Sequence, residues 1–264
     1  HIDYTRLLDP GGLRGARIGV WREGLRFTAA TWAVFERALE ALREAGAELV
    51  DPVGLPAYRE LASSADGLEV LLQDLKWDLE AYLATWVEPG FPIRTLADVV
   101  AFNRAHADVE MPWFGQDLLE RAVEKGALTD PAYRAAVARL QRWGRAEGID
   151  GAIAAHRLDA LVAPTNAPAS RLDPVNGDHW LGGSSTPSAV AGYPIVTVPA
   201  GEFAGLPVGI SFIGPAYSEP TLIRLAFAFE QATRARRTPR YAAPGLVPPG
   251  GQGVEVASLA VPGV

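Results

Sequence analysis

Serine and glycine residues are concentrated in one stretch of this 264-residue sequence, LGGSSTPSAVAG, at positions 181–192. Ser184 and Ser185 could act there as nucleophiles in acyl transfer, and the neighbouring glycines could bring backbone N–H groups to an oxyanion. The spacing does not match the G-x-S-x-G turn that presents the serine of an α/β-hydrolase between a strand and a helix. A nucleophile in this stretch would therefore need a base and a support of another kind.

The histidines offer little support for a serine–histidine pair. His179 lies too close in sequence to the serines to serve easily as their base, and we interpret it as a hydrogen-bonding loop residue. His106 and His156 fall in segments with helical patterns, where surface or packing roles are expected. The sequence therefore does not favour a histidine as the base.

A lysine could also take the proton from a serine. Lys76 lies between Asp74 and Asp78 on a helical pattern, LKWDLEAYL. Nearby carboxylates favour the charged form of a lysine, which is the opposite of what a base requires. A catalytic pair of Lys76 with Ser184 or Ser185 is therefore the less favoured interpretation.

The serine stretch has a second interpretation as the start of a short helix. We expect a helix at 187–191, with the side chain of Ser185 as its N-terminal cap and Gly192 as its end. This interpretation accounts for every residue type in the stretch, and we favour it over a self-contained nucleophile.

Composition excludes several classes of function. The sequence has no cysteine, so disulfides, thiolate catalysis and cysteine zinc sites are excluded. Its net charge of −7 argues against a surface for nucleic acid or anionic membrane. No apolar run approaches the roughly 20 residues of a membrane span, and the first residues show no signal-peptide pattern. We expect a cytoplasmic protein.

The elements that must position these residues follow a β-α-β order. A strand, a helix and a second strand predict a parallel βαβ unit near the beginning of the sequence. A buried strand, a hairpin and a final helix follow much later, with Leu222, Leu225 and Phe229 on the inward face of that helix. The predicted strands lie at 15–20, 48–51, 158–163, 195–199 and 208–213, and the helices at 31–45 and from Ser218 onward.

The middle of the sequence, at about 58–157, is predicted to be a helical insertion. Leu68 to Tyr82 carry apolar residues at helical spacing, further helices are expected near Thr95 and at 114–124, and Asp130-Pro131 suits the start of the longest one. We expect Trp77, Trp86 and Trp113 to pack in this region. Residues 241–264 read as a Pro- and Gly-rich tail.

Several longer segments resemble the C-terminal half of the amidase signature family. They are GLRGARIGV, LKWDLEAYL, LDALVAPTNAPA, NGDHWLGGSSTPSAVAGYPIVTVPAG and LPVGISFIGPAYSEPTLIRLAFAFEQATRARRTPR. The form with NGD and GGSS is most similar to peptide amidases and related bacterial enzymes. The resemblance implies an α/β fold with a mixed β-sheet covered by helices, at 1–240, that is incomplete in this chain.

The resemblance also implies a function. The family hydrolyses a carboxamide to acid and ammonia with a Ser–cis-Ser–Lys triad and without metal or cofactor. Those residues belong to the family's N-terminal half, so none is carried over to this chain, and the serine stretch only imitates the catalytic one. The expected partners are an amide substrate and that half, and a homo-oligomer is possible. The expected pocket wall consists of Thr165, Asn166, Asn176, Asp178, Ser184, Ser185 and Thr186.

Other interpretations stay open at the level of sequence. Asn176 and Asp178 suit a turn as well as a pocket, because Asn-Gly and Asp are common turn residues. The chain could be a non-catalytic module that binds a small amide or a protein. It could also be part of a tRNA-dependent amidotransferase subunit, which shares the family's fold, although its negative charge gives that function no help.

Overall fold

The structure, a computed structural model, describes residues 3–173 and 175–239. Its centre is a five-stranded mixed sheet with the strand order β2-β1-β3-β5-β4. The strands are β1 (Arg17–Trp21), β2 (Glu48–Val53), β3 (Ala160–Pro164), β4 (Ile195–Phe203) and β5 (Leu206–Ile213). The predicted α/β class with a mixed, helix-covered sheet is confirmed, and the predicted tail at 241–264 lies outside the described residues.

The sheet combines a parallel part with an antiparallel part. β1 pairs in parallel with both β2 and β3, and helix α1 (Ala29–Glu44) connects β1 to β2, as the βαβ pattern predicted. β5 runs antiparallel to both β3 and β4, which confirms the predicted hairpin. β2 continues through Pro52, although we expected the strand to stop before it. Because β2 pairs only with β1 in the described structure, a residue without an N–H is tolerated there.

One face of the sheet is covered by α1 and by α10 (Glu219–Thr233). Alternate strand residues meet the apolar stripes of the two helices, which places the largest core cluster on this face. The predicted inward residues of the final helix, Leu222, Leu225 and Phe229, lie here. The cluster includes Ile18, Val20, Phe35, Leu39, Leu42, Val162, Phe212, Leu222, Leu225 and Phe229.

The opposite face is covered by the end of the helical region and by a short helix after β3. These elements are α8 (Asp150–His156), the π-helical segment Arg145–Ile149 before it, and α9 (Thr186–Ala191). Their buried residues pack on the strand residues that point to this side, among them Trp21, Leu161 and Ile213. α9 ends at Gly192, whose positive φ of 68° is the left-handed conformation typical of a helix end.

Helices account for most of the chain between β2 and β3. They are α2 (Tyr58–Ser63), α3 (Asp66–Trp86), α4 (Leu96–Ala105), α5 (Ala107–Glu110), α6 (Asp117–Val123), α7 (Pro131–Gly144) and α8. Thr95 and Asp98 cap α4 reciprocally, and Asp130 caps α7 directly before Pro131, so both predicted helix starts are confirmed. α6 begins three residues later than the predicted 114. None of the helices in the described part of the chain is long and apolar enough to cross a membrane.

Trp77, Trp86 and Trp113 do not pack in this helical region as predicted. Trp86 and Trp113 are 76% and 73% exposed, and Trp77 is 38% exposed and donates its indole N–H to the Gly126 carbonyl. The cluster that does form here is small, with Leu72, Leu96 and Ala122 buried. The prediction was wrong because indole size favours burial only where neighbouring elements supply a surface, and this region supplies a small one.

Candidate functional site

The sheet topology marks one edge as a place for a ligand. After β1 the chain crosses to β2 on one side, and after β3 it continues to the hairpin on the other side. In α/β sheets, ligands bind outside the carboxyl ends of adjacent strands whose connections diverge in this way. Thr165 and Asn166 directly follow the carboxyl end of β3. Two of the predicted pocket residues therefore lie at this edge.

Backbone hydrogen bonds join the end of β3 to the serine stretch. The Thr165 N–H donates to the Gly209 carbonyl at 2.9 Å, and the Thr165 carbonyl accepts from the Ser184 N–H at 3.0 Å. The Ser184 hydroxyl donates to the same carbonyl at 3.4 Å, and Asn166 forms an antiparallel bridge with Gly183. Thr165, Asn166 and Ser184 are thus brought together. Ser184 is fully buried and bonded to a carbonyl, which suits support of the loop rather than attack on a substrate.

Gly183 is required by the close approach of the two segments. A Cβ added there would clash with the side-chain amide oxygen of Asn166 and would lie 3.2 Å from the Thr165 carbonyl oxygen. The absence of a side chain therefore lets the serine stretch lie against the end of β3.

A row of hydroxyls crosses the sheet below this bridge. The Ser211 Oγ lies 2.8 Å from the Thr165 Oγ1 and 3.0 Å from the Thr197 Oγ1. Ser211 is fully buried, Thr165 is half-buried and Thr197 is exposed. Sequence reasoning missed this row. In the sequence, each hairpin strand has one hydroxyl residue between two apolar ones, VTV and ISF. Whether these hydroxyls meet depends on the register of the two strands, which the sequence pattern does not give.

Ser185 and Thr186 are exposed at the start of α9, and Ser185 does not cap it as predicted. The Ser185 backbone adopts helical angles, φ −78° and ψ −23°, whereas a capping serine is extended so that its hydroxyl reaches the first helical N–H groups. Its carbonyl instead accepts from the Ala189 N–H at 2.9 Å. Both hydroxyls are therefore left at the surface beside the bridge.

Asn176 and Asp178 lie in an exposed loop of their own. Asp173 accepts hydrogen bonds from the side-chain amide of Asn176 at 2.9 Å and from the backbone N–H groups of Asn176 and Val175. These bonds, with that of the Asn176 side chain first, lower the pKa of the Asp173 carboxyl. Asn176 thus has the contacts of a turn residue. Within the described ranges, no hydrogen bond joins Asn176 or Asp178 to the other predicted pocket residues.

Lys76 is held by carbonyl oxygens rather than by its flanking carboxylates. Its Nζ donates to the carbonyls of Val123 and Lys125 at 2.9 and 2.8 Å, at the end of α6. Asp74 accepts instead from the Tyr133 hydroxyl at 2.6 Å, a bond that raises the pKa of Tyr133 to about 12. These bonds tie α3 to α6 and α7. They use Lys76 as a structural donor, which is consistent with the low preference given to a Ser–Lys pair.

Two clefts lie away from the predicted pocket residues. A cleft of about 570 Å³ lies after β1 and β2, and its lining includes Glu23, Arg26, Tyr58 and Arg59. A second, of about 320 Å³, lies between α3 and α7. The linings of both clefts lack Asn166 and Gly183, so the candidate site at the strand ends is separate from them. In the residues that the structure describes, no three His, Asp or Glu side chains are grouped as a metal site.

Together these features define an α/β protein with a candidate ligand site at the carboxyl edge of a mixed sheet. A family model described as amidase matches residues 6–223. The chain therefore belongs to the amidase family, as its resemblance to amidase signature proteins indicated.

Similar proteins give the same result and show the extent of the match. A probable amidase from Arabidopsis thaliana is 32% identical over 244 residues, which are 91% of this chain and 42% of that protein. The structure of the native peptide amidase from Stenotrophomonas maltophilia is 44% identical with a TM-score of 0.80, over 92% of this chain and 48% of that one. A glutamyl-tRNA(Gln) amidotransferase component from a Synechococcus strain is 29% identical over 251 residues, 90% of this chain and 46% of that protein. The chain spans less than half the length of each.

Proposed function

We propose that this chain is the C-terminal part of an amidase that hydrolyses a carboxamide to a carboxylic acid and ammonia. The observation that carries the proposal is the family match over 6–223 in a chain that spans 48% of a peptide amidase. The bonding of the two residue types considered for catalysis also supports it. Ser184 and Lys76 each donate to backbone carbonyls, so the catalytic groups are assigned to the part of the enzyme that this chain does not include.

The chemistry of the proposal follows the Ser–cis-Ser–Lys arrangement that the resemblance implies. A neutral lysine takes the proton of the nucleophilic serine through a second serine, and the serine oxygen attacks the amide carbon. As the tetrahedral intermediate collapses, the lysine returns that proton through the second serine to the leaving nitrogen and ammonia departs. Water then releases the acid from the acyl-enzyme. Backbone N–H groups stabilise the oxyanion in both steps. Each catalytic group in this scheme belongs to the N-terminal half.

The part assigned to this chain is the pocket wall at the carboxyl edge of the sheet. Asn166 and the exposed hydroxyls of Ser185 and Thr186 are polar groups with which a substrate could form hydrogen bonds. Thr165 and Ser184 hold that wall through their mutual bonds. The remaining members, Asn176 and Asp178, contribute from the neighbouring loop, where the Asp178 carboxylate would accept from an amide or amine of the substrate.

Ammonia release tests the proposal directly. A panel of amides that includes C-terminally amidated peptides is offered to this chain and to a longer product of the same coding frame. We expect release only by the longer product. Release by this chain alone, abolished in Ser184→Ala or Ser185→Ala, would overturn the assignment of catalysis to another half. Binding of amides by the longer product without any turnover would indicate a non-catalytic module.

The pocket wall has a separate test in the longer product. We expect Asn166→Ala and Asp178→Asn to raise KM more than they lower kcat, because they remove binding groups rather than reacting ones. Asp108→Asn, which removes an exposed carboxylate from α5, is the matched control and leaves both constants unchanged. Unchanged KM in Asp178→Asn would leave the 176–178 loop with only the role of a turn.

A second candidate function is suggested by the 29% identity to a component of a glutamyl-tRNA(Gln) amidotransferase. Such a function would require contact with tRNA, and the net charge of −7 offers no general attraction to a polyanion. We therefore favour hydrolysis, with a small amide as the partner and a cytoplasmic location. Retardation of tRNA by the longer product at physiological salt, together with no ammonia release from simple amides, would reverse this preference.

A further inference from the structure

The π-helical segment Arg145–Ile149 brings Arg145 and Asp150 to the same side of the chain. The segment lies between α7 and α8, and the Asp150 N–H donates to the Arg145 carbonyl, five residues earlier. In an α-helix, residues five positions apart point about 140° away from each other, because each residue turns the chain by about 100°. An i→i+5 hydrogen bond instead places the second residue above the first. The two side chains can therefore reach the same neighbouring element.

That element is the carboxyl end of α9. The Arg145 Nε donates at 2.8 Å to the carbonyl of Ala191, which is the last residue of α9. The last carbonyls of a helix have no donor within the helix, so an arginine there supplies both a hydrogen bond and a favourable charge. The Arg145 guanidinium carbon also lies 5.7 Å from the centre of the Tyr193 ring, within the range of a cation–π contact.

Asp150 binds the same end of α9 through Tyr193. The Tyr193 hydroxyl donates to the Asp150 Oδ2 at 2.8 Å, and the Tyr193 N–H donates to the Ser188 carbonyl of α9 at 3.0 Å. Arg145 and Asp150 thus hold Ala191 and Tyr193, which flank the residue that ends the helix. We call the side chains of Arg145, Asp150 and Tyr193 the α9 clamp. All three residues are half-buried.

The support of the clamp lies in close contact with α9. A Cβ added to Gly144 would lie 3.1 Å from the backbone nitrogen of Ala191 and 3.3 Å from its Cβ. Because Gly144 has no side chain, the end of α7 reaches the backbone of α9. Within the π-helical segment, the Glu147 carbonyl accepts from the Ala57 N–H at 2.8 Å, which ties the segment to the chain before α2. The clamp is therefore built on a part of the fold that is itself anchored.

The opposite end of α9 carries part of the proposed pocket wall. Ser184, which precedes α9, donates its N–H and its hydroxyl to the same Thr165 carbonyl oxygen. A single acceptor atom acts as a pivot and does not fix the direction of the helix that follows. A second attachment at the far end does so, and α9, with six residues, is about 9 Å long at 1.5 Å per residue. The orientation of the Ser185 and Thr186 hydroxyls therefore depends on the clamp.

We propose that Arg145, together with Asp150 and Tyr193, is a positioning residue for the amide substrate. The clamp orients α9 so that the hydroxyls of Ser185 and Thr186 meet the substrate. The inference rests on the proposed function, because it concerns the pocket wall of that site. Binding groups of this kind depend on a supporting layer of residues that fixes their geometry. Loss of the clamp should weaken substrate binding and leave the chemical step unchanged.

Two arginine variants of the longer product form a matched pair. Arg145→Ala and Arg142→Ala each remove an arginine at the end of α7, but Arg142 forms an ion pair with Glu147 at 3.1 Å rather than a bond to α9. We expect Arg145→Ala to raise KM for an amidated peptide roughly fivefold, the cost of about one neutral hydrogen bond, with kcat within about twofold. Arg142→Ala should leave KM unchanged. Tyr193→Phe, which removes only the bond to Asp150, should raise KM by less.

The separation of KM from kcat distinguishes positioning from a structural role. A defect in folding alone lowers the folded fraction, and with it the apparent kcat, without changing KM. Unchanged KM in Arg145→Ala, measured in a longer product that releases ammonia, would overturn the proposal and leave the function standing. Absence of ammonia release from the unaltered longer product would instead overturn the proposed function, and the measurement below would then decide whether the clamp fixes α9.

Hydrogen exchange in this chain alone tests the clamp without activity. The amides of Ala189 and Tyr193 donate to carbonyls at α9, and we expect both to exchange at least about tenfold faster in Arg145→Ala, because α9 then opens locally. The amide of Val162, in the buried strand β3, should be unchanged, and Arg142→Ala should change none of the three. An equal acceleration at Val162 would show a global loss of stability and overturn the proposal. Unchanged exchange at Ala189 and Tyr193 would overturn it as well.

Discussion

Ser211 determines whether the hydroxyl row below the candidate site is complete. It is the shared partner of Thr165 and Thr197, and it is fully buried. Ser211→Ala removes hydrogen bonds from both neighbours, and we expect it to lower the free energy of unfolding by about 1–3 kcal/mol. Thr197→Val removes only the exposed end and should lower it by less than about 1 kcal/mol. Urea unfolding of this chain measures both.

A reversed order of these two losses would contradict the interpretation of Ser211 as the centre of the row. The variants Thr165→Val and Ser211→Ala, combined in a double-mutant cycle, give the coupling of the half-buried pair. We expect the double variant to lose less stability than the sum of the two single losses, because the two residues share one hydrogen bond.

Substitution of Gly183 tests the bridge between the serine stretch and the end of β3. Gly183→Ala places a methyl group against the amide of the exposed Asn166 side chain and 3.2 Å from the Thr165 carbonyl oxygen, and we expect a loss at or below the lower end of the roughly 1–3 kcal/mol that overpacking of a core costs. Asn166→Ala in the same chain should restore part of the loss, while the contact with the Thr165 carbonyl at 3.2 Å keeps the rest. Thermal unfolding of the single and double variants checks the order.

The matched control for that substitution is Gly67 in α3, where an added Cβ meets nothing within 4 Å. Gly67→Ala should stabilise the chain by about 0.4–1 kcal/mol because alanine has less freedom to lose on folding. A loss of stability in Gly183→Ala that Asn166→Ala does not reduce at all would show that the bridge is not the source of the cost.

At the scale of elements, Arg22 joins β1, β2 and α1. It donates twice to Asp51 at 2.8 Å and once to Glu36 at 3.2 Å, in addition to a shorter ion pair with Glu36. The hydrogen bond from Arg22 lowers the pKa of Asp51, while partial burial opposes that shift. A lowered pKa in the folded state means that the pair stabilises the fold above about pH 4, the ordinary carboxyl value, and stops doing so as the pH falls through the lowered value.

Asp51→Asn tests this pH dependence. We expect it to lower the free energy of unfolding at pH 7 by about 2 kcal/mol, since hydrogen bonds to charged groups contribute on this order. The difference from the unaltered chain should shrink as the pH falls from 4 toward 2. Asp108→Asn is the control, because it removes the same charge from an exposed position. If the difference in unfolding free energy between Asp51→Asn and the unaltered chain stays constant with pH, the charge of the Asp51 carboxylate does not stabilise the contact between β1, β2 and α1.

The elements also show why parts of the fold could be predicted from sequence and others could not. The strands, the starts of α4 and α7, and the inward face of α10 follow local periodicity and capping residues such as Thr95 and Asp130. The Thr165–Ser211 bond joins residues 46 positions apart and depends on the register of β3 with β5. The π-helical segment Arg145–Ile149 likewise has no periodic signal, and its Gly148 adopts non-helical angles.

In the candidate site, too, some residues could be placed from the sequence and others could not. Thr165 and Asn166 could be placed because they follow a recognisable strand. Ser185 could not, because its capping role depended on an extended backbone that the approach to α9 does not have. Residue type alone thus located the loop but did not distinguish a buried Ser184 from an exposed neighbour.

At the scale of the whole molecule, two exposed tryptophans offer a test of whether this chain is part of a larger protein. Trp86 and Trp113 are largely exposed on the helical region, whereas Trp21 is fully buried under the sheet. Contiguous exposed apolar patches often mark surfaces that a partner covers, whereas single exposed apolar residues are common. If the chain is part of a larger amidase, some of this surface should become covered when the remaining part is present.

Acrylamide quenching of tryptophan emission measures that cover. In this chain we expect Trp86→Phe and Trp113→Phe each to remove an easily quenched part of the emission, and Trp21→Phe to remove a protected part. The emission of Trp86 or Trp113 is the difference between the unaltered protein and the corresponding Phe variant. We expect acrylamide to quench this emission less in the longer product than in this chain. If quenching of both positions is the same in the two proteins, these indoles lie on the solvent side of the complete enzyme.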